Sequence, residues 1–147
     1  MKVKMILPAL TEATSPFWRP IKYSLFPPLG LATLAGYLGD DDVVEIQDEH
    51  VEKLDLDDTP DLVVIQVYIT SAYRAYQLAD HYRQRGAHVA LGGLHVTSLP
   101  EEAEKHADTI TTVGRSPQAL EIIWSIFLGE STSSPSAMPS VLPCEVK

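Results

Sequence analysis

Residues 89–103 read Val-Ala-Leu-Gly-Gly-Leu-His-Val-Thr-Ser-Leu-Pro-Glu-Glu-Ala, and their reading decides the fold. The apolar run His88–Leu91 has the length and residue types of a buried strand. It stops at Gly92-Gly93, where the missing Cβ atoms allow a sharp turn or close contact with a flat ligand. Ser98 then offers an N-cap, and Glu101 three residues later completes a capping box. Pro100 falls in that first helical turn, where its missing N–H costs little. A strand ends, a glycine loop opens and a helix begins, which in an open parallel sheet is the edge where ligands bind.

The same alternation runs outward in both directions. Upstream, Leu62–Val67 is nearly continuous in Leu, Val and Ile, as a strand covered on both faces should be. Thr70 or Ser71 caps a helix to Arg85, with Ala72, Ala75, Ala79 and Tyr82 on one face, and Gly86 ends it. Before these lie a first strand, Lys2–Leu7, and a proline-rich, aromatic loop from Pro8 to Pro27. A loop of about 20 residues is uncommon in a compact domain and is more often functional or mobile, the alternative being aromatics that pack on their own domain. Leu31, Leu34, Ala35 and Leu38 predict a helix over Leu29–Leu38, stopped by Gly39. Asp40-Asp41-Asp42 reads as a solvated turn, Val43–Gln47 as a second strand and Asp48–Pro60 as an acidic crossover too short for a full helix. Downstream, Thr109–Val113 is a less apolar edge strand. Gly114 turns the chain, Ser116 caps, and Pro117 opens a helix whose stripe is Leu120, Ile123, Trp124 and Phe127.

Strands alternating with helices imply an α/β domain with a parallel sheet. Five strands at this spacing predict a flavodoxin-like, doubly wound sheet in the order 2-1-3-4-5, flanked by helices. It would occupy residues 1–129, with 130–147 a Ser/Pro-rich tail or linker that cannot build its own core. The ligand edge would collect the loops Pro8–Pro28, Tyr68–Ser71, Gly92–Ser98 and Gly114–Ser116.

Composition narrows the chemistry. The 147 residues carry a net charge of −9, against nucleic-acid binding, which needs clustered Lys and Arg. The apolar run near Met1 is cut by Pro8, and no stretch approaches a membrane span, so neither a signal peptide nor membrane insertion is expected. The single cysteine, Cys144, fits a reducing cytoplasm and cannot build a multi-cysteine metal or iron–sulfur site. No Gly-x-Gly-x-x-Gly follows the first strand, and no Gly-Lys-Ser/Thr phosphate loop occurs. The third strand ends in Gln66-Val67-Tyr68, so the acceptor Asp of a phosphotransfer receiver is missing. The histidines form no metal cluster by spacing, and only His95 follows the glycine loop.

Three stretches together resemble one family: Phe26-Pro27-Pro28-Leu29-Gly30-Leu31, Asp61–Tyr68, and Leu91-Gly92-Gly93-Leu94-His95-Val96-Thr97 with Pro100-Glu101-Glu102-Ala103. The likeness is to the N-terminal cobalamin-binding domain of cobalamin-dependent radical S-adenosylmethionine enzymes, and it runs from about Lys2 to Gly129. It implies a corrin lying over the carboxyl ends of the strands. Gly92, Gly93, His95 and Thr97 would meet the corrin or its nucleotide tail, and Thr70 and Ser71 would do likewise. Gly114 would join them, although Gly114-Arg115-Ser116 stands where relatives often carry Gly-Glu. The Cys-x-x-x-Cys-x-x-Cys motif of the family's catalytic half is absent. Asp48-Glu49-His50 resembles the Asp-x-His-x-x-Gly cobalt-ligand motif of related domains. It lacks the glycine and follows strand two, so His50 is not assigned to cobalt.

The expectation is therefore a cobalamin-binding module, not catalytic alone, working with a radical S-adenosylmethionine domain or protein. The alternatives are a degenerate domain acting through protein contacts and a flavin-using enzyme of the same fold. Because one cysteine cannot hold a four-iron cluster, anaerobic reconstitution with iron and sulfide should leave the chain colourless. Stoichiometric bound iron and sulfide would contradict this.

Overall fold

Three strands are almost uniformly apolar because side chains on both of their faces are largely buried. The computed structural model describes residues 1–9 and 28–112. In it β1 (Lys2–Leu7), β3 (Leu62–Gln66) and β4 (His88–Gly92) form the centre of a sheet edged by β2 (Val43–Asp48) and β5 (Thr109–Thr111). All pairs are parallel and the order is β2-β1-β3-β4-β5, the flavodoxin-like order expected. Ile6, Val63, Ile65, Val89 and Leu91 are fully buried. The first four residues of edge strand β2 alternate between exposed and half-buried, starting with Val43.

One face of the sheet is covered by α2 (Ala72–Gln84), which a short 3₁₀ turn (Ile69–Ser71) introduces. Ala72, Ala75, Tyr76, Leu78, Ala79 and Tyr82 form its buried stripe, spaced as one face of a helix should be. They share a core with Val63, Ile65, Val67, Val89 and Leu91. The other helices among the described residues are α1 (Leu29–Ala35), α3 (Leu94–Ser98) and α4 (Pro100–Ala103).

The β2–β3 crossover has no helix, and a buried lysine holds it down instead. Lys4 is 1% exposed. Its Nζ donates to Asp58 Oδ2 at 2.7 Å and to the Asp55 carbonyl at 2.5 Å. Tyr82 Oη donates toward the same two residues, at 2.9 Å to Asp58 and 3.0 Å to Asp55. Lys4 Nζ also lies 5.5 Å from the Tyr82 ring centroid. Burial, followed by Asp58, raises the Tyr82 hydroxyl well above the usual tyrosine range.

Several local expectations need correction. Helix α1 stops at Ala35 rather than Leu38. Its C-cap is Gly36 in right-handed geometry, and Tyr37 and Leu38 bond back three residues instead of four. Helix propensity falls at Gly36, so the last turn tightens. The expected capping box does not form. Ser98 ends α3 with its hydroxyl bonded to the Leu94 carbonyl at 2.9 Å, and Leu99 precedes α4 without a side-chain cap. The physical reason is Gly93: its positive φ turns the chain straight into helix, so the expected loop Gly92–Ser98 is mostly helical. The expected helix Leu99–His106 shortens to α4, with Pro100 at its start as predicted. Ser71 takes the cap position of α2 but makes no side-chain capping bond; its Oγ faces the Tyr68 carbonyl at 3.5 Å. The end of the expected fifth strand at Val113, Gly114, the helix after Pro117 and the tail lie outside the described residues.

The Lys4 node makes a testable demand. Removing one partner of a buried pair strands the other charge, so Asp58→Ala should cost about 3 kcal/mol in urea unfolding. Adding Lys4→Met should recover at least half of that loss in a double-mutant cycle.

Candidate functional site

Parallel pairing lines up the strand ends. Leu7 lies opposite Asp48, Gln66 opposite Gly92, and Gly92 opposite Thr111. In the order 2-1-3-4-5 the ligand crevice falls outside these carboxyl ends, between β1 and β3.

The glycine turn closes one side of this edge. Gly93 has φ +120°, and a Cβ there would stand 2.6 Å from the Val67 carbonyl oxygen. Val67 donates its N–H to the Gly92 carbonyl at 2.7 Å, and His95 donates its own to Val67 at 3.3 Å. Gly93 is thus required by backbone packing against the end of β3. A Cβ on Gly92 would clash with the Thr111 side-chain oxygen and touch the Thr111 Cβ and backbone carbonyl oxygen as well. Thr97 Oγ1 donates back to the Gly93 carbonyl at 3.0 Å.

His95 shares this turn, but its ring goes elsewhere. The residue is 8% exposed, and Nε2 lies 3.5 Å from Glu102 Oε1 without a hydrogen bond. Its centroid is 6.1 Å from that of Tyr76, which stacks on His106 at 4.4 Å. His106 Nδ1 in turn reaches Asp80 at 3.0 Å. The Tyr76 hydroxyl is pushed up to about 12, by burial first and then by the Glu102 charge. His95 therefore meets the edge through its backbone and the interior through its imidazole.

On the other side a carboxylate ties three segments together. Glu49, just beyond β2, accepts from the Ala9 backbone N–H at 3.0 Å and from Arg74 Nη2 at 2.6 Å and Nε at 3.0 Å. Beside it Asp48 Oδ1 accepts from the His50 backbone N–H at 2.9 Å and pairs with His50 Nδ1 at 2.8 Å. Sequence reasoning missed Glu49 and Arg74, since an ion pair bridging 25 residues leaves no local pattern.

Around the edge stands an apolar rim. Leu29 opens α1, Tyr68 and Ile69 follow β3, Tyr73 lies in the first turn of α2, and Leu94 opens α3. Their exposure runs from 39% at Tyr68 to 77% at Ile69. Large exposed apolar side chains gathered at a sheet edge mark a binding surface more often than chance scatter does. Thr70 and Ser71 lie within this rim, while Gly114 lies outside the described residues. Among the described residues no group of three or more His, Cys, Asp or Glu side chains could hold a metal ion. No described helix is long and apolar enough to cross a membrane.

Fold and edge together define a flavodoxin-like α/β domain with an open carboxyl edge. Two known proteins are similar to it. Over 68 residues the chain is 47% identical to bacteriochlorophyllide d C-8(2)-methyltransferase of Chlorobaculum tepidum, covering 46% of this chain and 15% of that protein. Over 125 residues it is 33% identical to an uncharacterized methyltransferase of Pyrococcus horikoshii, covering 78% of this chain and 26% of that protein. Both relatives are methyltransferases, and the chain spans about a quarter of their length or less. No known family profile matches the chain, and no solved structure does.

Among the described residues, two positive-φ glycines can be set against each other. Gly86 has φ +88° and open space around it, whereas Gly93 faces the Val67 backbone. Gly86→Ala should cost about 1 kcal/mol from φ alone, and Gly93→Ala about 3 kcal/mol or more, in urea unfolding. Equal losses would show that the Val67 contact carries no weight.

Proposed function

We propose that the chain is a cobalamin-binding module. It would hold the corrin over the carboxyl edge of its sheet for methyl transfer by a radical S-adenosylmethionine domain, on a longer protein or a partner. The observation that carries this reading is the group of exposed apolar side chains, Leu29, Tyr68, Ile69, Tyr73 and Leu94, at that edge. A wide, flat macrocycle with amide side chains suits such a surface, apolar around its margin with a few convergent polar groups. The two methyltransferase relatives, each much longer than this chain, support the same reading.

Cobalamin supplies a methyl group carried on cobalt; the chain's own residues bind and orient the ring. Leu29, Ile69 and Leu94 would lie along its apolar margin. Thr70, Ser71 and Thr97 would serve its amides or nucleotide tail, with the Gly92-Gly93 turn holding the backbone beside the ring and Gly114 joining them. His95, buried toward Glu102, would hold the turn that carries these contacts. Residues 1–129 would form the module and 130–147 a linker or tail, in the reducing cytoplasm. No histidine is assigned to cobalt, because the Asp-x-His-x-x-Gly motif is missing after β1. The rim also fits a protein partner, which is the reading left if no corrin binds.

Hydroxocobalamin should comigrate with the purified chain and change its visible spectrum. The reduced cobalt should show no nitrogen hyperfine coupling from a protein imidazole. Gly30→Ala should lower corrin affinity while leaving the melting temperature unchanged or raised. A Cβ there meets only the Gln66 amide at 3.6 Å, an ordinary contact, and alanine favours helix. Failure of the wild-type chain to take up hydroxocobalamin would favour the protein-contact reading.

A further inference from the structure

At the carboxyl ends of β1 and β3, where the strand order reverses, lies a polar pair distinct from the glycine turn. Gln66 ends β3. Val63, Ile65 and Val67 lie in the core beneath α2, so alternation places Gln66 on the opposite side of the strand. Its carboxamide lies beside the first turn of α1, 3.6 Å from where a Gly30 Cβ would stand. Nε2 donates to the Tyr68 hydroxyl at 2.7 Å. Oε1 is buried and has no hydrogen-bond partner among the described residues.

A buried carbonyl oxygen without a donor costs stability, and folded chains keep few of them. Three other buried side-chain atoms among the described residues share this condition, on Gln47, Tyr76 and His95. Gln66 alone stands at the β1/β3 crevice, next to the rim residues Leu29 and Tyr68. Its partner completes the pattern. The Tyr68 hydroxyl accepts from Nε2 and keeps its own proton to give, on a residue that is 39% exposed. The pair therefore offers one acceptor and one donor side by side, the complement of a primary carboxamide.

We propose that Gln66 and Tyr68 together determine ligand specificity by reading a carboxamide. Gln66 Oε1 accepts the ligand N–H, and the Tyr68 O–H donates to the ligand carbonyl oxygen. This rests on the corrin reading, since corrins carry carboxamides around their periphery. A carboxylate in the same place has no N–H to give and repels Oε1. Each hydrogen bond polarises the next through the Gln66 amide.

The test titrates the full chain with hydroxocobalamin, following the visible spectrum, and records melting of the ligand-free protein. Gln66→Met should weaken binding about fivefold to twentyfold, the range for losing one buried hydrogen bond. Its melting temperature should hold or rise, because the orphaned oxygen is gone. Loss of affinity with gain of stability is a signature that a merely structural glutamine would not give. Tyr68→Phe, at a partly exposed position, serves as the second variant and should weaken binding in the same direction. The wild-type preference for cobinamide, whose side chains are amides, over cobyrinic acid, whose side chains are acids, should narrow in both variants. Binding by both variants within about twofold of wild type, or an unchanged preference, overturns this assignment alone. A wild-type chain that takes up no hydroxocobalamin overturns the corrin reading and this assignment with it.

Discussion

At Gly93 the backbone takes φ +120° and passes so close to Val67 that no side-chain carbon fits between them. Two hydrogen bonds, Val67 to Gly92 and His95 to Val67, fasten the ends of β3 and β4 at that point. Much of the carboxyl edge of the sheet follows from this contact. The chain enters α3 without a connecting loop, which leaves Leu94 on the rim and buries His95 and Val96. The hydroxyls of Thr97 and Ser98 bond back to the carbonyls of Gly93 and Leu94, a local use that competes with capping. A larger residue at 93 would have to shift β3, β4 or both.

The far side of the edge is held by charge rather than by close backbone packing. Glu49 gathers the end of β1, the end of β2 and the first turns of α2 through Ala9 and Arg74. At the opposite end of α2, Tyr82 and Lys4 pin the helix-free crossover to the sheet. The rim residues thus ride on supports fixed at both ends. That is the condition under which a surface can be shaped before a ligand arrives, with less ordering left to oppose binding.

The central strands were legible because strands buried on both faces must be apolar throughout, and no other short element looks so uniform. β3 and β4 match their expected spans to within a residue. The order followed from the spacing and from the general behaviour of parallel crossovers. Capping was misread for a physical reason. Ser98 and Glu101 have the right spacing for a capping box, but spacing does not report φ at Gly93, and φ sets where the helix starts. Gly36 rather than Gly39 ended α1 for a similar reason: the apolar stripe continues past the point where the backbone favours a turn. Lys4 was beyond reach, since a lone lysine in an apolar strand gives no hint that Asp55 and Asp58 receive it. Gln66 was noticed only as the place where an acidic acceptor is missing. Its orphaned oxygen depends on what surrounds it, not on its neighbours in sequence.

The order of strands also bears on how the chain acquires its structure. β1 is synthesised first, yet its partners are β2 and β3, and each arrives only after a long intervening segment. Until residues 43–48 and then 62–66 have emerged, the apolar Val3, Met5, Ile6 and Leu7 have no sheet to join. Such long-range parallel pairing is slow, and it exposes an unpaired edge while it waits. A nascent chain of this topology therefore passes through a stage in which its first strand is sticky and its ribosome-bound length decides when that ends.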